Sequence, residues 1–215
     1  MMTTTAFQSA RRNQRDRSLG WKRFLDVVLC VSSLLCLLPF FLLIALGIAL
    51  TSPGPILFVQ TRVGKGGRTF SMLKFRSMYQ DAEQRRADVE QLSDRDGVCL
   101  KVRRDPRITP LGRILRRCSL DELPQLLNVL IGDMSLVGPR PALVDEVAAY
   151  PEHAHRRHNV LPGITGLWQV SGRADIGFDE MIALDLEYVQ RVSFVTDAVI
   201  LLRTVSAVFT GKGAY

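Results

Sequence analysis

The 215-residue chain, 47% hydrophobic and 23% charged, has a globular composition and room for one ordinary domain with an appendage, which excludes two full domains. Its formal charge of +7 calls for an anionic partner: nucleic acid, anionic lipid or a phosphorylated small molecule. Four cysteines, none in a CxxC pair, exclude a disulfide or zinc framework and fit a reduced, cytoplasm-facing body.

Residues 1–20 form a polar, Arg-rich N-terminus predicted to be disordered. From Val27 to Leu50 the chain then runs 24 residues without a charge. A helix of that length reaches about 36 Å, enough for a hydrocarbon core of about 30 Å. A membrane segment moves the choice of partner to lipid head groups and phosphorylated substrates, away from nucleic acid. Pro39 interrupts the run at its middle, where it deletes the bond to the Leu35 carbonyl. Arg11, Arg12, Arg15, Arg17, Lys22 and Arg23 precede the segment; Arg62, Lys65, Arg68, Lys74 and Arg76 follow it. A spanning helix would place one of these clusters outside, against the positive-inside rule. A re-entrant helical hairpin over residues 21–52, bent at Pro39 with both ends in the cytoplasm, satisfies both and is preferred to a kinked spanning helix. A signal peptide fits poorly, because the run is too long for an h-region and no A-x-A site follows.

Thr51-Ser-Pro-Gly-Pro55 reads as a turn. Ile56–Arg62 and Thr69–Phe75, joined by Gly64-Lys-Gly-Gly67, read as a β-hairpin. Residues 81–91 read as a polar helix and 93–97 as a loop. Pro110–Cys118 is a short helix with Arg113, Arg116 and Arg117 on one face and Leu111, Ile114 and Leu115 on the other. Such a helix suits either an anionic membrane surface or a solvated face over a core. Leu123–Ile131 is apolar almost all round, which predicts a buried helix closed by Gly132. Met134–Val137 leads into Gly138-Pro-Arg-Pro141. Asp179–Val192 and Phe194–Phe209 are two further helices, and a tail begins at Gly211. The fold class is α+β, mostly helical: a membrane element, a small sheet, and a body over residues 53–215.

Ser119-Leu-Asp-Glu-Leu-Pro-Gln125 opens the buried helix. Ser119 and Glu122 have capping-box spacing, and acids in a first turn suit the helix dipole. Pro124 weakens that frame and is better placed if Asp121 is itself the N-cap. The functional alternative is a carboxylate at a helix start facing a phosphate, able to form a covalent acyl-phosphate with cations neutralising the charge. Arg140 is fixed between two prolines. Lys74 and Arg76 alternate along a strand and share a face, and Arg173 follows a glycine-rich loop from Pro162. Gly64–Gly67 lacks the P-loop pattern. His153, His155 and His158 lack a complete ligand set and read as surface residues.

Lys74-Phe-Arg-Ser-Met78, Asp105-Pro-Arg-Ile-Thr109, Ser119–Gln125, Asp133-Met-Ser-Leu-Val-Gly-Pro-Arg-Pro141 and Pro162-Gly-Ile-Thr-Gly166 occur in this order. Together they resemble the bacterial sugar transferase family, the monotopic phosphoglycosyl transferases in their minimal form, from about Lys22 to the end. The resemblance implies a re-entrant membrane helix, interfacial amphipathic helices, and a catalytic domain on the cytoplasmic face of the bacterial inner membrane. It also implies that Asp121 is a nucleophile attacking the β-phosphate of a UDP-sugar and expelling UMP. Polyprenyl phosphate, in bacteria undecaprenyl phosphate, would then take the sugar phosphate from the aspartate. Glu122 matches the partner carboxylate; Arg140, Arg173 and Lys74 match basic residues around the phosphates, with Arg76 on the same strand. Mg²⁺ is implied, with Asp121 as its protein ligand. Two departures stand out: Leu38 precedes Pro39 where some relatives carry Ser, and Val192 replaces a frequent aromatic.

Two other functions compete with this one. A conventional glycosyltransferase would use Asp121 or Glu122 as base and release UDP, and a membrane-anchored scaffold would turn over no donor. Convergence of Asp121, Lys74, Arg140 and Arg173 on one diphosphate separates catalysis from the scaffold. Neither the sugar nor the oligomeric state follows from these motifs.

Overall fold

The computed structural model describes residues 2–85, 105–172 and 176–210, with side chains over 20–85, 105–172 and 176–208. The charge-free run is the second half of one long helix, α1 (Met2–Thr51), with Pro39 inside it. The helix is continuous through Pro39, with no break into two separate helices. One lost backbone bond does not end a helix whose flanking turns are both packed, and Leu34 and Phe41 on either side of the proline contact the same core. The backbone is helical also before Gly20, where composition predicts disorder.

Strands β1 (Leu57–Val63) and β2 (Thr69–Phe75) pair antiparallel as the spacing predicts, with Phe58 opposite Lys74. Residues 81–85 form turns; the remainder of the expected 81–91 helix and the 93–97 loop lie outside the described residues. Helix α2 (Pro110–Arg117) is capped by Thr109, whose Oγ accepts from the Gly112 amide at 2.9 Å. A Cβ at Gly112 would meet the Ser77 carbonyl oxygen at 1.9 Å, so only glycine lets α2 lie this close to the chain leaving β2. A 3₁₀ turn (Leu120–Glu122) leads into α3 (Gln125–Ile131), which begins two residues later than the pattern predicts and ends at Gly132.

Next come β3 (Ser135–Val137), α4 (Val144–Ala148) and a 3₁₀ segment (Glu152–Asn159). Strand β4 (Gly163–Thr165) pairs parallel with β3, Ser135 opposite Gly163. It runs straight into α5 (Leu167–Ser171), so the expected glycine-rich loop is a strand and a helical turn. A Cβ on Gly163 would sit 2.0 Å from the Gly138 amide nitrogen, and this close backbone approach is what the glycines in both motifs permit. Helices α6 (Phe178–Gln190) and α7 (Phe194–Thr210) complete the described chain.

From Lys22 onward, one stripe of α1 packs on this body. Lys22 pairs with Asp197 and donates to the Val137 carbonyl at 3.0 Å, and the Arg23 guanidinium caps the last carbonyls of α3, Val129 and Leu130. Asp26 accepts from Ser135 Oγ at 2.7 Å. Cys30, Ile44 and Ile48 follow at helical spacing against Met72, Val129, Phe75 and Leu115. At the far end the Ser52 carbonyl accepts from Arg76 at 2.6 Å. Both ends of the apolar segment therefore rest on one body, while Leu35, Leu38, Phe40, Leu43, Leu46 and Leu50 face outward. Phe194, Val195 and Leu202 leave a second apolar face open on α7.

Candidate active site

The two adjacent carboxylates sit where β2, α2 and the start of α3 meet. Neither serves as a helix cap. Ser119 takes a left-handed φ of 56°, the one non-glycine residue with positive φ among the described residues, and makes no capping bond. Pro124, which needs no amide partner, stands before α3 instead. Both capping readings of this segment are thereby replaced. A left-handed residue next to a carboxylate pair is the kind of local strain that functional sites hold.

Glu122 forms a largely buried ion pair with Lys74, Oε1 to Nζ 2.7 Å. Burial pushes the Glu122 carboxyl up, but Lys74, Arg140 and Arg62 outweigh it and hold the carboxyl below the ordinary range. Burial dominates for Asp121, 7% exposed, whose carboxyl is raised despite the cations Lys74 and Arg116 and with the Glu122 charge adding to the rise. The Lys74 ammonium is lowered by burial, with Arg140 acting in the same direction. Two neighbouring carboxyls are thus pushed apart, a pattern of functional sites.

A cleft is lined by Met72, Lys74, Glu122, Gln125, Arg140, Pro141, Gly163, Ile164 and Gln169. Glu122 is the dyad member on its wall; Asp121 is buried beside it. The Arg140 guanidinium has no hydrogen-bond or ion-pair partner among the described residues, yet its backbone is fixed on all sides. The Pro139 carbonyl accepts from the Gly163 amide at 2.9 Å, Arg140 from Arg157 at 3.0 Å, Pro141 from Arg62 at 3.1 Å, and Ala142 from the Val63 amide at 2.9 Å. A rigid backbone holding an unpaired cation suits recognition of an anion entering the cleft.

The structure brings Asp121, Glu122, Lys74 and Arg140 together. Arg76 does not join them: it turns to the end of α1, because it lies past β2 and the Ser52 carbonyl draws it there. Arg173 lies outside the described residues, and Pro39 is in the outward part of α1. Sequence periodicity missed Arg116, expected on an outer basic face. It is half-buried, donates to Ser77 Oγ at 3.0 Å and faces Asp121 and Asp105, while Ile114 is exposed in its place. Arg157 is equally hidden in the sequence, and only its place five residues before the Pro-Gly-Ile-Thr-Gly motif points to the site. His158 is buried against Tyr150, not on the surface as expected; burial and Arg157 lower its imidazole to about 4. No cluster of three or more metal-binding side chains occurs among the described residues.

The chain thus joins cations gathered around paired carboxylates to one helix long and apolar enough to cross a membrane. Residues 17–211 match the bacterial sugar transferase family, and the chain belongs to it. It is 46% identical over 203 residues, 90% of this chain and 72% of the relative, to a UDP-glucose:undecaprenyl-phosphate glucose-1-phosphate transferase of Caulobacter vibrioides. It is 38% identical to the exopolysaccharide production protein ExoY of Sinorhizobium fredii, covering 99% of this chain and 96% of that one. The galactosyl transferase CpsE of Streptococcus agalactiae is 45% identical over 90% of this chain, which spans 43% of CpsE.

Proposed function

We propose that the chain transfers a sugar-1-phosphate from a UDP-sugar to undecaprenyl phosphate, releasing UMP, at the start of an exopolysaccharide or related glycan. The observation that carries this reading is the Asp121 carboxyl: buried, unused as a cap, without an ion-pair partner of its own, and flanked by Lys74 and Arg116. In the first step an Asp121 carboxylate oxygen attacks the β-phosphorus, the bond from that phosphorus to the bridging oxygen breaks, and UMP leaves with the electron pair. In the second, an undecaprenyl phosphate oxygen attacks the same phosphorus and the aspartyl oxygen departs, restoring Asp121. Lys74 and Arg140 hold the phosphate oxygens, and Glu122 keeps Lys74 charged and in place. The names of the glucose-1-phosphate transferase and of ExoY support the acceptor and the pathway.

The carboxylate pair fits Mg²⁺, an ion that uses one or two protein carboxylates and takes its other ligands from phosphate and water. Asp121 would hold it, since Glu122 is engaged by Lys74. Bound there, the ion would neutralise the diphosphate and stabilise the leaving group.

A re-entrant topology with the body on the cytoplasmic face is supported by the attachment of both ends of the apolar segment to one body, and by the basic residues at both ends. Apolar faces on α1 and α7 suit lipid, and the surrounding Lys and Arg suit anionic head groups. Tags at residue 2 and at the C-terminus are expected on the same face of inverted vesicles; opposite faces would mean a spanning helix.

The deciding measurement supplies UDP-glucose or UDP-galactose with undecaprenyl phosphate in vesicles and separates UMP from UDP. UMP release, with a phosphosugar adduct on the peptide containing Asp121, is expected. Because Glu122 is the carboxylate on the cleft wall, a direct glycosyl transfer with Glu122 as base is the second reading, and UDP release without UMP would establish it in place of the first.

A further inference from the structure

Helix α3 carries two buried amides three residues apart. Asn128, 1% exposed, is fully used. Its Oδ1 accepts from the Leu73 amide at 3.0 Å and its Nδ2 donates to the Ser71 carbonyl at 2.8 Å, closing the free edge of β2. Gln125, 2% exposed, has no hydrogen-bond partner among the described residues, and its side chain lines the cleft. The Gln125 amide is not one of the fully buried unpaired polar groups, so its polar atoms are open to whatever occupies the cleft. Gln125 lies four residues after Asp121, one helical turn from the reacting carboxylate.

The chemistry of the partner follows from what the amide needs. Phosphate oxygens only accept, and the cleft already offers them Lys74 and Arg140. A primary amide both donates and accepts, so a phosphate would leave its oxygen unsatisfied, whereas a hydroxyl satisfies both functions. Met72, Pro141 and Ile164 add apolar wall to the same cleft. We propose that Gln125 binds a hydroxyl of the donor sugar and is a specificity-determining residue of the transfer. This rests on the UDP-sugar reading of the cleft.

The test uses the full chain in lipid nanodiscs and the variant Gln125→Met, which keeps side-chain length and removes the polar atoms. Melting temperature, binding of UDP-glucose, UDP-galactose and UDP, and UMP release are compared with the unsubstituted chain. The melting temperature is expected to change little, because the amide opens into the cleft and supports no other residue. Affinity for at least one of the two UDP-hexoses should fall about tenfold, as loss of a single hydrogen bond predicts. Affinity for UDP should be unchanged, and the loss in UMP release should appear in KM with kcat nearly constant. Gln125→Asn, which withdraws the amide by one carbon and keeps its polarity, should lose the same sugar affinity.

Unchanged UDP-hexose affinity in both variants would overturn the proposal, as would equal weakening toward UDP, which would place the contact on nucleotide or phosphate. A lower melting temperature or failure to fold in Gln125→Met would make the amide a structural group like Asn128. If the unsubstituted chain releases no UMP from either donor, the proposed reaction falls, while the difference between UDP-hexose and UDP binding still decides the role of Gln125.

Discussion

Two buried charge clusters stand on opposite sides of the Pro-Arg-Pro segment, and they are built to opposite rules. In one, Arg157 is 2% exposed and spends its whole guanidinium on protein: Asp185, the Tyr150 hydroxyl at 2.7 Å and the Arg140 carbonyl. In the other, Lys74 and Glu122 pair, but the Asp121 carboxyl and the Arg140 guanidinium next to them do not. The first cluster spends its cation on holding backbone in place, with one Asp185 oxygen left unpartnered; the second keeps charge available for a ligand. The first supports the second, since Arg157 grips the residue whose side chain the second leaves unpaired.

The largest effect expected from breaking this contrast is at Asp121. Asp121→Asn should lower UMP release at least roughly a thousandfold, as loss of a covalent nucleophile does. Its melting temperature should hold or rise, because a buried charge disappears. A comparable loss at Arg157 should instead be one of stability. Arg157→Leu strands Asp185 and should cost roughly 3–5 kcal/mol in chemical denaturation, whereas Arg157→Leu with Asp185→Leu should recover much of it. If Arg157→Leu left stability intact, the two clusters would not differ as described.

Glu122→Gln sits between these extremes, losing roughly ten- to a hundredfold in kcat together with some stability, because Lys74 remains buried without its partner. Acid should sharpen the distinction within the dyad. The Asp121 carboxyl is raised, so the acid limb of kcat/KM should lie above the ordinary carboxylate range, and Arg116→Gln, removing a cation that favours ionisation, should move it higher. Stability has the opposite sign at the two positions. The contribution of Asp121 is full below its unfolded value and lost as pH rises through the raised folded one. Asp121→Asn therefore gains most at neutral pH. Glu122 is lowered, so its contribution is present above the unfolded value and lost as pH falls through the folded one. Glu122→Gln should thus lose stability at neutral pH and little in strong acid. The smallest effect is expected on the outer face of α7: Leu202→Ser should change stability by less than about 0.5 kcal/mol while reducing flotation with vesicles.

Much of this molecule was legible in the linear chain. The β-hairpin, α2, α6, α7 and the long apolar segment follow from periodicities of two and 3.6 residues and from turn residues, all of which are local. The ordered motifs also named the dyad, Lys74 and Arg140. The sequence by itself could not say which way a charge would turn. Lys74 and Arg76 look equivalent on alternating positions, yet one pairs with Glu122 and the other with the end of α1. Arg116 looks like one of three surface arginines, yet only it reaches Asp121. Asp121 and Glu122 look like helix caps, yet a left-handed Ser119 and Pro124 remove them from that task. The turns taken by Arg76, Arg116 and Lys74 depend on partners brought from 24 to 48 positions away. Burial and ion pairing are decided by such neighbours, and they exist only once the chain is packed.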